Sequence, residues 1–347
     1  MLKDNIVTEL TEKIKKNPSD TENYRQLANY YIGLEEIENA FCVYEQILKI
    51  DENDFQSLVN IGSIYFYKKD FVNSISCYNK AILTEKDNYA PYYNLGNVYA
   101  EIGNFELSIK NYEIALKLYP NNPETYNAIG YLYKDVKNYE LAKNNFEKAI
   151  ELENGNFEYY VNLANVLQNT ENNEEAIKNY QKAYKINSSN PKIMLCLANA
   201  YTTVNNYQLA FEYFKKAVDI APEYYSAWIC MAIAYYDSGD FEKAMKYLKQ
   251  GIELAPEQTS GYILLANILT EEKRYDEAIS LYKTALKLTD NNSKILMLIA
   301  NIYILLNDIE TASIYYRKAI KQAPNDNEIK LIYLELTKNY IEKKMRG

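Results

Sequence analysis

The chain contains no histidine. That absence removes the side chain most often used as a general base and most often found on a metal. Its four cysteines, Cys42, Cys77, Cys196 and Cys230, form no C-x-x-C pair. Neither a zinc site nor a disulfide framework is expected, and a reducing, cytoplasmic setting is the simpler one. Long apolar runs are also missing. No window approaches about 18 apolar residues, so no transmembrane helix is expected. Charges break the opening MLKDNIVTELTEKIKK every few residues, so no secretory leader is expected either. Positive charge is in deficit. A net charge of −9 argues against nucleic acid, whose phosphates need Lys and Arg. No cofactor and no metal are expected.

What is present indicates a folded chain. The hydrophobic fraction is 48% over 347 residues, too long for one compact core and suited to several domains or a repeat array. Tyrosine is abundant, at 37 residues against one Trp. The wealth of Asn and Lys reads as compositional bias.

Self-similarity is the strongest signal. Residues 21–326 divide without insertion into nine segments of 34. Position 8 of each segment is Ala28, Gly62, Gly96, Gly130, Ala164, Ala198, Ala232, Ala266 and Ala300. Position 20 is Ala or Ser throughout, and position 27 is small except at Ile47. Bulky residues recur opposite them, with Tyr or Leu at position 11 and Tyr, Phe or Leu at position 24. Positions 4, 7, 8 and 11 share one helical face, and 20, 24 and 27 another. Small holes set against large knobs are what two packed helices need. Turn residues such as Gly103-Asn104 and Ser238-Gly239-Asp240 separate the two faces. Pro120, Pro222, Pro256 and Pro324 at position 32 end the second helix.

With these columns in place, the pattern resembles the tetratricopeptide repeat family over about nine-tenths of the chain. The family's Trp at position 4 is met by Trp228, with Tyr24, Tyr92, Tyr126, Tyr160 and Tyr262 standing in elsewhere. The resemblance implies an all-α fold, a right-handed α-solenoid (superhelix) of nine helix-turn-helix repeats. Residues 1–20 are expected as an N-terminal capping helix, with Leu2, Ile6, Leu10 and Ile14 at i, i+4 spacing. Residues 327–347 are expected as a C-terminal cap. Its inner face would carry Ile329, Ile332, Tyr333, Leu336 and Tyr340, and its outer face Glu335, Lys338, Glu342, Lys343, Lys344 and Arg346. Such ends keep a solenoid soluble.

In this family the first helices line a concave groove, with positions 2, 5, 9, 12 and 13 facing inward and position 6 beside them. Position 9 is Asn in six repeats: Asn29, Asn97, Asn165, Asn199, Asn267 and Asn301. A primary amide carries donor and acceptor together, which suits an extended peptide backbone. Position 6 adds Asn60 and Asn94, then turns apolar from Cys196 onward. Position 5 turns apolar in the same repeats, through Leu195, Ile229, Ile263 and Met297. That strip is either groove or inter-helix core, since periodicity cannot place a residue midway between the two. Arg25, Asn29 and Asn60 also match part of the family's clamp for a C-terminal carboxylate. Ala90 and Asn94 stand where that clamp has cations, and charge-assisted bonds carry most of such an interaction.

The function this implies is a scaffold that binds extended peptides or partner proteins, not an enzyme. Glu124, Asp135 and Glu158 look like a solvated face with no nucleophile to activate. The alternatives are a regulatory or chaperone-adaptor subunit, or a homo-oligomer assembled through the apolar C-terminal half.

Overall fold

The computed structural model describes residues 2–289 and 292–346, with side chains at 5–289 and 292–338. Twenty helices and no strand occur among the described residues. The protein is an all-α helical-repeat solenoid. Two units are distinguishable, Met1–Asn172 and Asn173–Gly347.

The first unit holds α1 (Leu2–Lys16), α2 (Thr21–Gly33), α3 (Ile37–Ile50), α4 (Phe55–Tyr67), α5 (Phe71–Thr84), α6 (Tyr89–Glu101), α7 (Phe105–Leu118), α8 (Pro123–Asp135), α9 (Tyr139–Leu152) and α10 (Phe157–Asn169). The second holds α11 (Asn173–Ile186), α12 (Pro191–Thr203), α13 (Tyr207–Ile220), α14 (Tyr225–Asp237), α15 (Phe241–Leu254), α16 (Thr259–Glu271), α17 (Tyr275–Leu288), α18 (Ser293–Leu305), α19 (Ile309–Gln322) and α20 (Asn327–Arg346). Even-numbered helices from α2 to α18 are the first helices of the repeats and span positions 1–13. Odd-numbered helices from α3 to α19 are the second and span positions 17–30. Within each unit every helix packs on the next, and first helices of neighbouring repeats also touch, as α4 touches α6 and α12 touches α14.

The turn inside each repeat follows one rule. Position 15 is left-handed in all nine repeats, with φ between 58° and 85°. Only two of these residues are Gly, at Gly103 and Gly239; the others include Glu35, Lys69 and Lys137. The conformation lets two backbone bonds close the first helix. Asn104 N–H donates to the Tyr99 carbonyl at 2.8 Å, and Gly103 N–H to Ala100 at 3.0 Å. The next residue then caps the second helix. Asn104 accepts from the Leu107 N–H at 3.1 Å, as Asp70 and Asn138 do in their repeats. Asn88, Asn122 and Asn190 cap first helices in the same way. Much of the Asn that looks like bias therefore satisfies helix N–H groups that would otherwise lack partners.

Packing follows the knob-and-hole columns. The rings of Tyr44, Tyr78, Tyr112, Phe146, Tyr180, Phe214, Tyr282 and Tyr316 are buried. A Cβ built on Gly62 would stand 2.8 Å from Tyr78 Cε1, and one on Gly130 2.7 Å from Phe146 Cε1. In these repeats the ring stands in the space a Cβ would take, whereas opposite Tyr44, Tyr180, Tyr282 and Tyr316 position 8 is Ala. In two repeats the close approach is also bonded: Ser74 Oγ donates to the Gly62 carbonyl at 2.8 Å and Ser108 Oγ to Gly96 at 2.7 Å. Position 4 ties one repeat to the last. Trp228 Nε1 donates to the Pro222 carbonyl at 2.8 Å and the Tyr262 hydroxyl to Pro256 at 3.1 Å.

The ends differ from expectation in detail. In α1, Leu10 is buried and Ile14 half-buried, but Ile6 is exposed; the Leu2 side chain lies outside the described residues. In α20, Ile329 is buried and Ile332, Tyr333 and Leu336 pack beside it. Tyr340, Glu342, Lys343, Lys344 and Arg346 lie outside the described side chains. Glu335 and Lys338 are exposed as expected, yet Leu331 and Leu334, at 65% and 62% exposure, share that outer surface. Leu334 occupies the register of position 8, the spot that a second helix covers in every complete repeat.

Candidate partner-binding face

The position 9 side chains sit on the first helices, exposed at Asn29 and Asn301 and half-buried at Asn97, Asn165, Asn199 and Asn267. Their amides are not loose. The buried tyrosine fifteen residues on, at position 24, donates its hydroxyl to the amide oxygen. Tyr44 bonds Asn29 at 2.9 Å and Tyr112 bonds Asn97 at 2.6 Å. Tyr282 bonds Asn267 and Tyr316 bonds Asn301 in the same way. Ser63 replaces Asn opposite Tyr78, at 3.0 Å. Where position 24 has no hydroxyl the pairing is lost: Leu248 faces a repeat with Ile233 at position 9, Phe146 one with Tyr131, and Phe214 one with Asn199, whose amide turns to Cys230. A buried hydroxyl needs a partner, and that requirement accounts for much of the Asn column. The tyrosines in these pairs are neutral, their pKa values raised chiefly by burial.

Position 9 also reaches forward to position 6 of the next repeat. The Tyr131 hydroxyl donates to Asn162 Oδ1 at 2.7 Å, and Asn162 Nδ2 donates to Asn127 Oδ1 at 2.8 Å. Asn162 is 4% exposed, so this chain of polar groups is satisfied inside the joint between α8 and α10. Asn199 Nδ2 reaches Cys230 Sγ at 3.9 Å, the same step one unit later. The sequence reading missed Tyr131, Asn127 and Asn162 as a group. The signal was present: the residues stand 31 and 35 apart, one repeat length within a turn.

The partial clamp is engaged internally. Arg25 Nη2 lies 2.7 Å from Asp54 Oδ2, and Nη1 lies 3.2 Å from Glu22. Asp54 is buried and also caps α4 through the Ser57 N–H at 2.9 Å. Burial alone would raise the Asp54 pKa, but the bonds from Arg25 and Ser57 outweigh it and hold the carboxyl below its ordinary range. Asn60 accepts from Gln56 at 3.4 Å, and Asn94 is half-buried on α6.

The apolar strip lies deeper than the amides. Leu195 and Ile229 are buried, and Ile263 and Met297 are half-buried. Ile229 belongs to the core because Gly251 at position 27 makes room for it; a Cβ there would stand 2.9 Å from Ile229 Cδ1. Ile263 packs against the same core, and Met297 against the one beneath α20. Glu124, Asp135 and Glu158 are exposed. Among the described residues no cluster of three or more metal-ligating side chains occurs, and no helix is long and apolar enough to cross a membrane.

Comparisons with known proteins agree with this geometry. Residues 136–345 match the family model described as Cilia and flagella-associated protein 70 C-terminal domain. Residues 62–103 and 96–137 match a model described as TPR repeat. No curated protein matches. Among solved structures, a tetratricopeptide repeat protein from Parabacteroides merdae is 18% identical with a TM-score of 0.56, over 72% of this chain and 98% of that one. The C-terminal part of a TPR repeat-containing protein from Cytophaga hutchinsonii is 19% identical with a TM-score of 0.56, over 70% and 98%. The APC/C hetero-tetramer Cut9-Hcn1 gives 16% identity and a TM-score of 0.51, over 92% of this chain and 63% of that one. These likenesses establish the fold.

Proposed function

The chain belongs to the tetratricopeptide-repeat family represented by that C-terminal domain model, and from this premise we propose that it is a non-catalytic protein-interaction scaffold taking an extended polypeptide along its first helices. The observation that carries the reading is the row of position 9 amides. Each Asn in a Tyr pair is held by its oxygen, which leaves its NH₂ group as the donor presented outward. Neighbouring first helices stand roughly 8–10 Å apart, and an extended strand advances about 3.3 Å per residue. One donor therefore meets about every third carbonyl of a bound chain, a spacing tolerant of sequence. In the second unit Asn267 and Asn301 supply such donors, while Asn199, which faces Phe214, directs its NH₂ group to Cys230 Sγ and offers its amide oxygen instead. Ile263 and Met297 supply half-exposed apolar surface beside them, while Leu195 and Ile229 act as the packed floor. In the first unit Asn29, Asn60, Asn94, Asn97 and Asn165 supply the equivalent amides. The partner is protein, with no cofactor, nucleic acid or membrane insertion required, and free thiols at all four cysteines suit a cytoplasmic setting.

The test uses peptides selected from a random display library against the full chain. Changing Asn199, Asn267 and Asn301 together to Ala should weaken the selected peptides at least about tenfold, the loss expected from several central contacts. Unchanged affinity would move the site off the amide row. A second reading, self-association, is favoured by the exposed Leu331 and Leu334 pair on α20. Light scattering across a concentration series decides it, because a strict monomer at high concentration removes that reading.

A further inference from the structure

Glycine answers a visible demand at most of its positions in this chain. Gly62, Gly96 and Gly130 stand against a ring, Gly251 against Ile229, and Gly103 and Gly239 are left-handed. Gly155, in the turn between α9 and α10, does neither. Its backbone lies outside the left-handed region, and a Cβ built on it would meet nothing within 4 Å. The fold would accept any residue there. What the glycine changes is its neighbour, because Asn154-Gly155 is the one Asn-Gly step in the chain.

The residues on either side of that step are engaged. The Tyr159 hydroxyl donates to Glu153 Oε2 at 3.2 Å, and Asn156 Oδ1 accepts from the Glu158 N–H at 3.0 Å. Asn154 and Gly155 between them are exposed, and the Asn154 amide has no hydrogen-bond partner among the described residues. Asparagines in the other turns are held differently. Asn88, Asn104, Asn122, Asn138 and Asn190 each place the amide oxygen on a helix N–H, which fixes the side chain. Asn154 is left free to turn its amide carbon toward the nitrogen of Gly155.

We propose that Asn154 is a site of self-modification, converted without an enzyme to a mixture of isoaspartate and aspartate. Hydroxide from solvent removes the Gly155 N–H proton, and the nitrogen attacks Asn154 Cγ. The N–Cγ bond forms, the Cγ–Nδ2 bond breaks, and ammonia leaves a five-membered succinimide. Water then opens the ring. Attack at Cγ gives aspartate; attack at the main-chain carbonyl carbon of residue 154 gives isoaspartate, with the backbone running through the former side chain. In sum one amide and one water become one carboxylate and one ammonium, with no oxidation or reduction. Glycine favours the step because no Cβ shields its nitrogen and its backbone can reach the compact ring geometry. Isoaspartate adds one backbone carbon between Glu153 and the Asn156 cap. Either product adds a negative charge to an exposed stretch that already holds Glu151, Glu153 and Glu158. The site lies on an inter-repeat turn and stands whether or not the amide row binds peptide.

The test holds the full chain at physiological pH and temperature, digests samples over time and maps them by mass spectrometry. A carboxyl methyltransferase specific for isoaspartate reads that product separately. Both products should accumulate at Asn154 and not at the capping residues Asn88, Asn104, Asn122, Asn138 or Asn190. The rate should rise with pH in proportion to hydroxide, and should be comparable with that of the free peptide LENGNFE. Gly155→Ala, which the open space and ordinary φ admit, should keep the parent's thermal unfolding and lose most of the conversion. Asn154→Gln should lose all of it. A full chain that converts far more slowly than the free peptide, undiminished conversion in Gly155→Ala, or equal conversion at the capping asparagines would each overturn the proposal.

Discussion

The two units share one 34-residue frame and close their joints with different chemistry. In the first unit, repeats 2–4 place Gly at position 8 against an aromatic ring, and repeats 2 and 3 bond a Ser hydroxyl to the Gly carbonyl. Position 23 in repeats 3 and 4 is Asn, which folds back onto its own helix, as Asn111 does to the Leu107 carbonyl at 2.7 Å. In the second unit position 8 is Ala in every repeat, and position 23 is Tyr in repeats 6, 7 and 9. There the contacts are stacked rings under lysines. The comparison teaches that the repeat fixes backbone geometry and leaves side-chain chemistry free. A polar joint must satisfy its own hydrogen bonds and is therefore finished. An aromatic joint depends on surface contact, and in repeat 8 Leu269 and Leu281 stand at the same two positions.

Alkaline pH should produce the largest effect, and in both units. Buried tyrosines such as Tyr78, Tyr112, Tyr282 and Tyr316 have pKa values raised, mainly by burial, from an ordinary 10.0. A raised native pKa means stability is full below pH 10 and is lost as pH rises toward the native values, because only the unfolded chain ionises. Urea midpoints should be flat from pH 7 to about 9 and fall steeply above 10. A midpoint that holds to pH 12 would contradict the burial. On the acid side only the first unit has the buried Arg25–Asp54 pair. Its lowered carboxyl pKa gives stability that is present above about pH 4 and lost as pH falls through the native value.

Gly96→Ala should follow. The Tyr112 ring is buried against that glycine and would have to shift to admit a Cβ, so overpacking should cost about 1–3 kcal/mol by chemical denaturation. Ala266→Gly in the second unit makes the opposite change and should cost only about 1 kcal/mol, the helix-propensity difference. Equal costs would erase the distinction between the joints.

The sequence displayed the frame almost completely. The 34-residue period, the helix faces and the small columns at positions 8 and 20 are all visible because each repeat restates them. The left-handed residue was legible only at Gly103 and Gly239, since seven repeats hold a side chain there under backbone compulsion. The Asn column was legible but its partner was not. Position 9 and position 24 lie fifteen residues apart on different helices, and only the fold turns the Tyr44 hydroxyl onto Asn29. The apolar strip could not be placed because burial of Ile229 depends on Gly251, a residue on the neighbouring helix.

A double-mutant cycle sharpens the Asn–Tyr pairing. Tyr112→Phe and Asn97→Ala should each cost about 0.5–1.5 kcal/mol and add to less than their sum, because they remove one bond. Full additivity would show the pair to be coincidental. The smallest effect is at the turns. Lys137→Gly should stabilise by about 0.5–1 kcal/mol by relieving a positive φ of 60°, while Gly103→Ala should destabilise by a similar amount. Thermal unfolding of both variants reads the signs.

The central claim is that the first helices take the polypeptide. Photo-crosslinking tests it most directly, with a benzophenone amino acid placed one site at a time in the full chain and a library-selected peptide as the partner. First-helix sites Thr203 and Ser226 and second-helix sites Lys215 and Lys283 are all exposed. The account predicts peptide adducts at Thr203 and Ser226 and none at Lys215 or Lys283. Adducts confined to the second-helix sites would contradict it.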